Sequence, residues 1–257
     1  MTAGVPAGLL TGELVLHGRV MPASNATFVG RVEMTTVVYK PVAGERPLWD
    51  FPDGTLAGRE VAAYLVSEAL GWNVVPLTFL REGPHGPGMV QVWQEPDEEA
   101  VAVDLVPEGH VPPGWRRVFD GLDGHDRPVS LVHEDSEPLR RMAVFDVLVN
   151  NADRKGGHVL AMPDGHRYGV DHGVTFHVEN KLRTVLWGWL GEPLSAEEHD
   201  GVHQLRQALG GALSDSLEAL VSAQEVEALA RRSETLARRG TLPAPGGQWP
   251  AIPWPPF

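Results

Sequence analysis

Residues 149–160 read VNNADRKGGHVL, and residues 169–176 read GVDHGVTF. The first stretch leaves an apolar helical run through a polar turn that contains glycine, and the second carries another Asp followed two residues later by Gly. Polar, glycine-bearing turns between short apolar runs predict a β-hairpin, with one stretch at each of its ends. Asp153 and Asp171 are therefore predicted to lie on loops beside this hairpin.

The composition indicates a globular protein that does not bind nucleic acid. Its 257 residues suit one large domain or two lobes of roughly 100–150 residues each. A net charge of −13 argues against broad binding to nucleic acid or to an anionic membrane, because neutralising phosphates requires Lys and Arg. The absence of cysteine excludes disulfides and thiolate sites. With no signal-peptide pattern and no apolar run long enough to span a bilayer, we expect a cytoplasmic protein without integral membrane association.

The first half of the sequence predicts a β-rich lobe with one helix. Strand patterns over residues 13–42 indicate a meander, and further strands are expected in 73–82 and 88–95. REVAAYLVSEALG (59–71) has the apolar stripe of a helix and ends at a glycine. Charge and proline are dense in residues 95–114, which we interpret as the connection between two lobes and its continuation.

The second half predicts a mostly helical lobe that contains the hairpin. Its helices are expected to begin at the N-cap residues Ser136, Ser195 and Ser214. The predicted organisation is thus α+β and bilobal, with an N-lobe (1–95), a C-lobe (96–240) and a tail rich in Pro and Trp (241–257). The tail is expected to be either an extended strap on the surface or a loose end.

Four short stretches carry groups suited to phosphoryl transfer. That chemistry requires a cation on the phosphates, ligands for a divalent metal, and a carboxylate beside the acceptor hydroxyl. Lys40 ends the apolar run TTVVYK, and Glu60 begins the helix twenty residues later. Asp153 and Asp171 follow in that order on their loops.

DRKGGH and GVDHGVTF together resemble the catalytic and metal-binding loops of the phosphatidylinositol 3-/4-kinase superfamily. VVYKP and GREVAAYLVSEALG resemble the ATP-lysine strand and the following helix of its type II phosphatidylinositol 4-kinases. The bacterial persistence-toxin kinases, and an actinobacterial group of kinase-like proteins, share this pattern. The resemblance spans residues 36–176 and implies a protein-kinase-like fold that uses ATP with Mg²⁺ or Mn²⁺.

The resemblance also implies roles for individual residues. Asp153 would orient or deprotonate the acceptor hydroxyl, and Arg154 would support its loop. Asp171 would bind the metal. Lys40 would contact the phosphates and be held by either Glu60 or Glu45, an alternative that the sequence leaves open.

Other residues would surround the nucleotide or the acceptor. QVWQE (91–95) falls where the hinge of such kinases meets adenine, which implicates Trp93, Gln94 and Glu95. Ser24 and Asn25 lie in the turn that would cover the phosphates. Lys181 and Arg183 are the cations placed to receive a phosphate of the acceptor.

One position departs from the kinase pattern. Where these kinases usually carry a second metal-binding Asn, five residues after the catalytic Asp, this chain has His158. Neutral imidazole ligates divalent metals but suits softer ions than Mg²⁺. The expected function is an ATP-dependent phosphotransferase acting on a hydroxyl of a protein, a lipid headgroup or a small molecule. The alternatives are a nucleotide-binding regulator without turnover and an enzyme that transfers AMP.

Overall fold

The computed structural model describes residues 4–20, 25–46, 48, 51, 55–246 and 249–257. The described residues form a mixed α/β protein with six α-helices and three antiparallel sheets. No helix in these ranges is long and apolar enough to cross a membrane. The helices are α1 (Ala7–Thr11), α2 (Leu56–Leu70), α3 (Glu137–Val149), α4 (Ala196–Leu209), α5 (Ala212–Glu218) and α6 (Ala223–Arg239).

The first sheet has five strands in the order β1-β2-β3-β5-β4. Its strands are β1 (Leu14–Arg19), β2 (Phe28–Val32), β3 (Thr35–Pro41), β4 (Thr78–Gly83) and β5 (Gly86–Val92). The predicted meander and the two later strands are confirmed. Strand β3 lies in the middle of the sheet. Lys40 near its end pairs with Met89 of β5, and the preceding residue Tyr39 pairs with Phe28 of β2 as well, so the position of the lysine is fixed by the sheet.

The second sheet was not predicted from the sequence. It consists of β6 (Val103–Pro107), β7 (Trp115–Leu122) and β8 (Pro128–Glu134) in the order β6-β8-β7. The predicted inter-lobe connection therefore contains a strand, and the region after it is not helical. Only the central strand β8 is largely buried, whereas β6 is mostly exposed and β7 is half-buried to exposed along its length. Their polar residues and prolines hid the alternating apolar pattern on which strand prediction relies.

The small hairpin and two of the three predicted helix starts are confirmed. The hairpin consists of β9 (Val159–Ala161) and β10 (Arg167–Gly169). Ser136 caps α3, and Ser195 caps α4 through a capping box with Glu198. The prediction for Ser214 is wrong, because this residue lies inside α5. The capping box that starts α6 belongs instead to Ser222 and Glu225, which have the required spacing.

One large apolar core joins both halves of the chain. It contains residues of α2, α3, α4 and α6 together with Met89 of β5 and Leu131 of β8. A smaller apolar cluster is formed by side chains of the five-stranded sheet and of α1, and includes Tyr39 and Phe79. Because α2 packs into the large core, the end of β3 and the loops after α3 are held at a fixed separation. The boundaries at residues 95 and 240 remain predictions.

Candidate active site

A cavity of about 500 Å³, called the cleft below, is lined by residues from distant parts of the sequence. It brings together the predicted site residues Asn25, Lys40, Glu45, Glu60, Asp153, His158 and Asp171. Lys155, which the sequence analysis did not single out, also lines it. The whole sequence contains only three lysines, Lys40, Lys155 and Lys181, so two of them meet in this cleft.

Lys40 is held by two carboxylates. Its Nζ lies 2.6 Å from Oε1 of Glu60 and forms a second ion pair with Asp171. Burial lowers the pKa of Lys40, but the charges of Asp171 and Glu60 outweigh that effect and raise the pKa above its usual value. Lys40 is therefore a fixed positive charge at the floor of the cleft.

Of the two candidate partners of Lys40, Glu60 pairs with the lysine, whereas Glu45 binds the start of α2. Oε2 of Glu60 accepts a hydrogen bond from the backbone N–H of His172 at 2.8 Å, so this carboxylate joins Lys40 to the loop that carries Asp171. Glu45 instead accepts from the backbone N–H groups of Leu56 and Ala57, at 3.1 and 2.8 Å. Glu45 thus caps α2, which begins three residues earlier than predicted because its cap comes from a separate loop.

Asp171 follows β10 in a left-handed backbone conformation, with φ of 60°. Few residues other than glycine adopt this conformation, and Asp is among those that tolerate it. The conformation turns a half-exposed carboxylate toward Lys40. The Lys40 charge is the main reason that the pKa of Asp171 is well below its usual range. Asp171 is therefore an anion at neutral pH, as a metal ligand must be.

Asp153 and Lys155 face the cleft from the loop after α3, residues 153–158. The backbone N–H of Asp153 donates to Oδ1 of Asn151 at 3.0 Å, which fixes the start of the loop. Nζ of Lys155 lies 3.7 Å from Oδ2 of Asp153. Burial raises the pKa of Asp153, against the opposing charges of Lys155, His158 and Arg183. A carboxylate with a raised pKa is a stronger proton acceptor than an exposed Asp.

His158 is oriented by a backbone hydrogen bond. Its Nδ1 lies 2.9 Å from the carbonyl oxygen of Asp153, and since a carbonyl only accepts, Nδ1 carries the proton. Burial lowers the pKa of His158, which favours the neutral ring. Nε2 then presents its lone pair 3.7 Å from Oδ2 of Asp171. Metal-binding histidines are commonly oriented in this way.

Arg154 does not line the cleft. It is fully buried, and its guanidinium contacts both carboxylate oxygens of Asp146 at 2.9–3.2 Å. Its Nη2 also donates to Nε2 of His172 at 2.7 Å. Its contacts are thus with the loop and its neighbours, as in the supporting role that the resemblance implies, and they leave it placed to contact no substrate. The sequence held one sign of this burial: its partner Asp146 is a single acidic residue in the apolar run AVFDVLV of α3, where a charge needs a buried partner.

Some predicted nucleotide contacts fall elsewhere. None of Trp93, Gln94 and Glu95 lines the cleft, and Trp93 is 39% exposed beyond the end of β5. Asn25 lines the cleft, but its Oδ1 already accepts from the backbone N–H of Arg46 at 2.9 Å. Ser24 lies outside the described residues.

The proposed acceptor cations are engaged in the fold. Lys181 is buried, with its Nζ 4.6 Å from the ring centroid of Trp249. Nε of Arg183 donates to the carbonyl of Ala152 at 2.6 Å. Each of these charged groups therefore has a contact within the fold, and the charge of Arg183 also acts on Asp153, where it opposes the rise of the pKa that burial causes. That the two residues receive a phosphate of the acceptor stays a prediction.

Comparison with known proteins identifies one extensive match. The chain is 52% identical over 264 residues to Protein Rv2133c of Mycobacterium tuberculosis, covering 98% of this chain and 95% of that protein. No protein-family model matches. Among solved structures, the Helicobacter pylori proinflammatory kinase CtkA is similar with a TM-score of 0.48 and 12% identity, covering 91% of this chain and 94% of that one. That likeness is too loose to assign the fold.

Proposed function

The chain belongs to the same family as Protein Rv2133c of Mycobacterium tuberculosis, and we propose that it is an ATP-dependent phosphotransferase with a bilobal, kinase-like fold. One observation carries the proposal: the cleft gathers Lys40, Glu60, Asp153, Lys155 and Asp171 from four separate parts of the sequence. Together they supply the cations and carboxylates that phosphoryl transfer requires, in the order of the kinase pattern.

Lys40 and Lys155 are the proposed phosphate-binding groups. Lys40 projects from a central strand and is fixed by Glu60, so its charge is positioned before the nucleotide arrives. Lys155 enters from the opposite loop, beside Asp153. Cations fixed in advance lower the cost of binding the polyphosphate and stabilise the charge that develops during transfer.

Asp171 and His158 fit a divalent metal. The carboxylate of Asp171 and the neutral imidazole of His158 face each other. These two side chains alone would hold the metal, since the described part of the chain has no group of three or more His, Cys, Asp or Glu side chains that could bind one. Metals in phosphotransferases commonly take only one or two protein ligands and complete their shell with phosphate and water. When bound, such a metal neutralises phosphate charge. The imidazole makes Mn²⁺ a better match than Mg²⁺.

Asp153 is the proposed base. Its raised pKa and its place on the cleft wall suit a carboxylate that orients the acceptor hydroxyl and takes its proton. The acceptor is a hydroxyl of a protein, a lipid headgroup or a small molecule.

The test is replacement of Asp153. We expect Asp153→Asn to lower phosphotransfer by about 100-fold or more, because the amide cannot take a proton. Nucleotide affinity, measured by calorimetry, should change by less than about threefold, since Lys40 and Asp171 remain. Asp164→Asn, on the exposed turn of the hairpin, is the matched control. Full activity of Asp153→Asn would exclude Asp153 as the base.

A nucleotide-binding regulator is the second candidate, favoured by His158 at the position of the usual metal-binding Asn. ATP binding without ADP release or modification of any partner would support this candidate over the enzyme. Mass spectrometry of modified partners distinguishes a phosphoryl group from an adenylyl group, and so tests AMP transfer as well.

A further inference from the structure

The imidazole ring of His172 is fully buried and has no part in the transfer proposed above. It lies between two groups of opposite charge, the guanidinium of Arg154 and the carboxylate of Glu60. The ring of Phe145 packs edge-on against it, with 5.5 Å between the ring centroids. Such a ring either fills space in the core or acts on one of its charged neighbours, and its hydrogen bonds distinguish the two roles.

The contact with Arg154 fixes which nitrogen of the His172 ring carries the proton. Nη2 of Arg154 donates to Nε2 of His172 at 2.7 Å, and because a guanidinium only donates, this ring nitrogen is unprotonated. The pKa of His172 is held well below its usual value, mainly by burial, which agrees with a neutral ring. The single proton of the ring is therefore on Nδ1.

Nδ1 of His172 is a buried donor without a hydrogen-bond partner. Oε2 of Glu60 lies 4.0 Å from it, which is too far for a hydrogen bond. The same oxygen accepts from the backbone N–H of His172 at 2.8 Å, so the carboxylate and the ring are held as neighbours. Because a buried donor that lacks a partner is unfavourable, a small shift of the Glu60 carboxylate toward the ring would be stabilised.

Binding of a metal and a nucleotide would disturb the opposite side of this carboxylate. Lys40 forms ion pairs with both Glu60 and Asp171. A metal that binds Asp171 and a phosphate that binds Lys40 both compete with the ion pair between those two residues. The position of Glu60 then depends more strongly on its contacts with His172.

We propose that His172 is a positioning residue for the transfer: when metal and nucleotide bind, its Nδ1–H donates to Oε2 of Glu60 and holds this carboxylate against Lys40. A hydrogen bond to a carboxylate is stronger than one between neutral groups, so it can hold the pair while the phosphates bind. His172 acts through Glu60, since it does not line the cleft itself. The inference rests on the proposed function, because it concerns the protein with bound nucleotide.

Two substitutions of His172 separate this role from that of a residue that only fills the core. Asn places its amide where Nδ1 lies and can donate to Glu60, whereas Gln places its amide where Nε2 lies and can accept from Arg154. Binding of a non-hydrolysable ATP analogue with Mg²⁺ is measured by calorimetry. His172→Gln should weaken binding by about tenfold, whereas His172→Asn should stay within about threefold of the wild type. Equal affinities of the two variants, or the opposite order, would overturn the inference.

His203→Gln, exposed on α4 and outside the lining of the cleft, is the control. A measurement on the wild-type chain decides the question if a buried substitution prevents folding. In NMR spectra of isotope-labelled protein, the Nδ1 proton of His172 should move downfield when the ATP analogue and Mg²⁺ are added, as expected for a new hydrogen bond to a carboxylate. A proton that does not move would contradict the proposed contact. Wild-type protein that binds no nucleotide would overturn the proposed function as well, so the two failures are distinguishable.

Discussion

The imidazole ring of His158 lies between the loop that carries Asp153 and the loop that carries Asp171. Nδ1 donates to the backbone of Asp153, and Nε2 faces the carboxylate of Asp171. If the proposed metal binds beside Asp171, the ring nitrogen of His158 affects which metal the cleft prefers. An asparagine at this position would offer an amide oxygen, a harder ligand that suits Mg²⁺.

We expect His158→Asn to raise the ratio of Mg²⁺-supported to Mn²⁺-supported turnover by about tenfold, because an oxygen ligand replaces a nitrogen ligand. The measurement is a titration of phosphotransfer with each metal. His125→Asn, on an exposed turn, is the control. An unchanged ratio would mean that His158 does not ligate the metal.

Arg154 holds the loop that carries Asp153 from a buried position. Its ion pair with Asp146 is completely buried, and the same guanidinium reaches the carbonyls of His158 and Val170. A buried pair of this kind costs desolvation, so it is better explained as fixing one loop geometry than as a source of stability.

Among the elements, α6 links the site to the rest of the core through its first turn. In the capping box, Oε2 of Glu225 accepts hydrogen bonds from the backbone N–H and the hydroxyl of Ser222. Oε1 of Glu225 also forms an ion pair with Nη1 of Arg59 at 2.7 Å. Arg59 in turn donates to the carbonyl of Thr175, in the segment after Asp171. The start of α6, helix α2 and the segment after Asp171 are therefore connected by one set of contacts.

Ser222→Ala should lower the free energy of unfolding by about 1 kcal/mol, the usual cost of losing an N-cap. Ser214→Ala, a serine inside α5 that caps nothing, should change it by less than about 0.5 kcal/mol. Urea denaturation of both variants measures the difference. Equal effects would mean that the capping box contributes no stability.

In the whole molecule, the last residues form a strap across the site loops. The carbonyl of Ala251 accepts from the N–H of Thr184 at 3.1 Å and from Nε1 of Trp187 at 2.9 Å. The carbonyl of Pro256 accepts from the N–H of Gly156 at 2.8 Å. The ring of Phe257 lies so close to Gly156 that a Cβ there would be 2.4 Å away. Of the two conformations predicted for the tail, these contacts of residues 249–257 are those of a strap.

Deletion of Pro256 and Phe257 should accelerate amide hydrogen exchange at Gly156 by roughly fivefold or more, as expected for the loss of a hydrogen bond worth ~1 kcal/mol. Exchange of residues 153–158 by NMR or mass spectrometry measures it. Trp254→Ala is the control, because that ring is 80% exposed. Unchanged exchange would show that the strap does not hold the loop.

The sequence by itself determined the features that depend on neighbouring residues. Three kinds of pattern act over only a few residues and can therefore be recognised in the sequence. They are the β-branched runs of the first sheet, the Ser–x–x–Glu caps, and the glycine-bearing turns around Asp153 and Asp171. Lys40, Asp153 and Asp171 could be found in the sequence for the same reason, since Lys40 stands near the end of a strand and the two aspartates follow a helix and a strand.

Only the tertiary structure decided which charges meet. The spacing of Glu45 and Glu60 does not tell which one reaches Lys40, because that depends on how α2 packs against the core. The burial of Arg154 on Asp146 and the pairing of β6, β7 and β8 likewise join residues distant in sequence or polar in composition. Electrostatic and packing energies depend on distance and burial in three dimensions, and no local pattern records them.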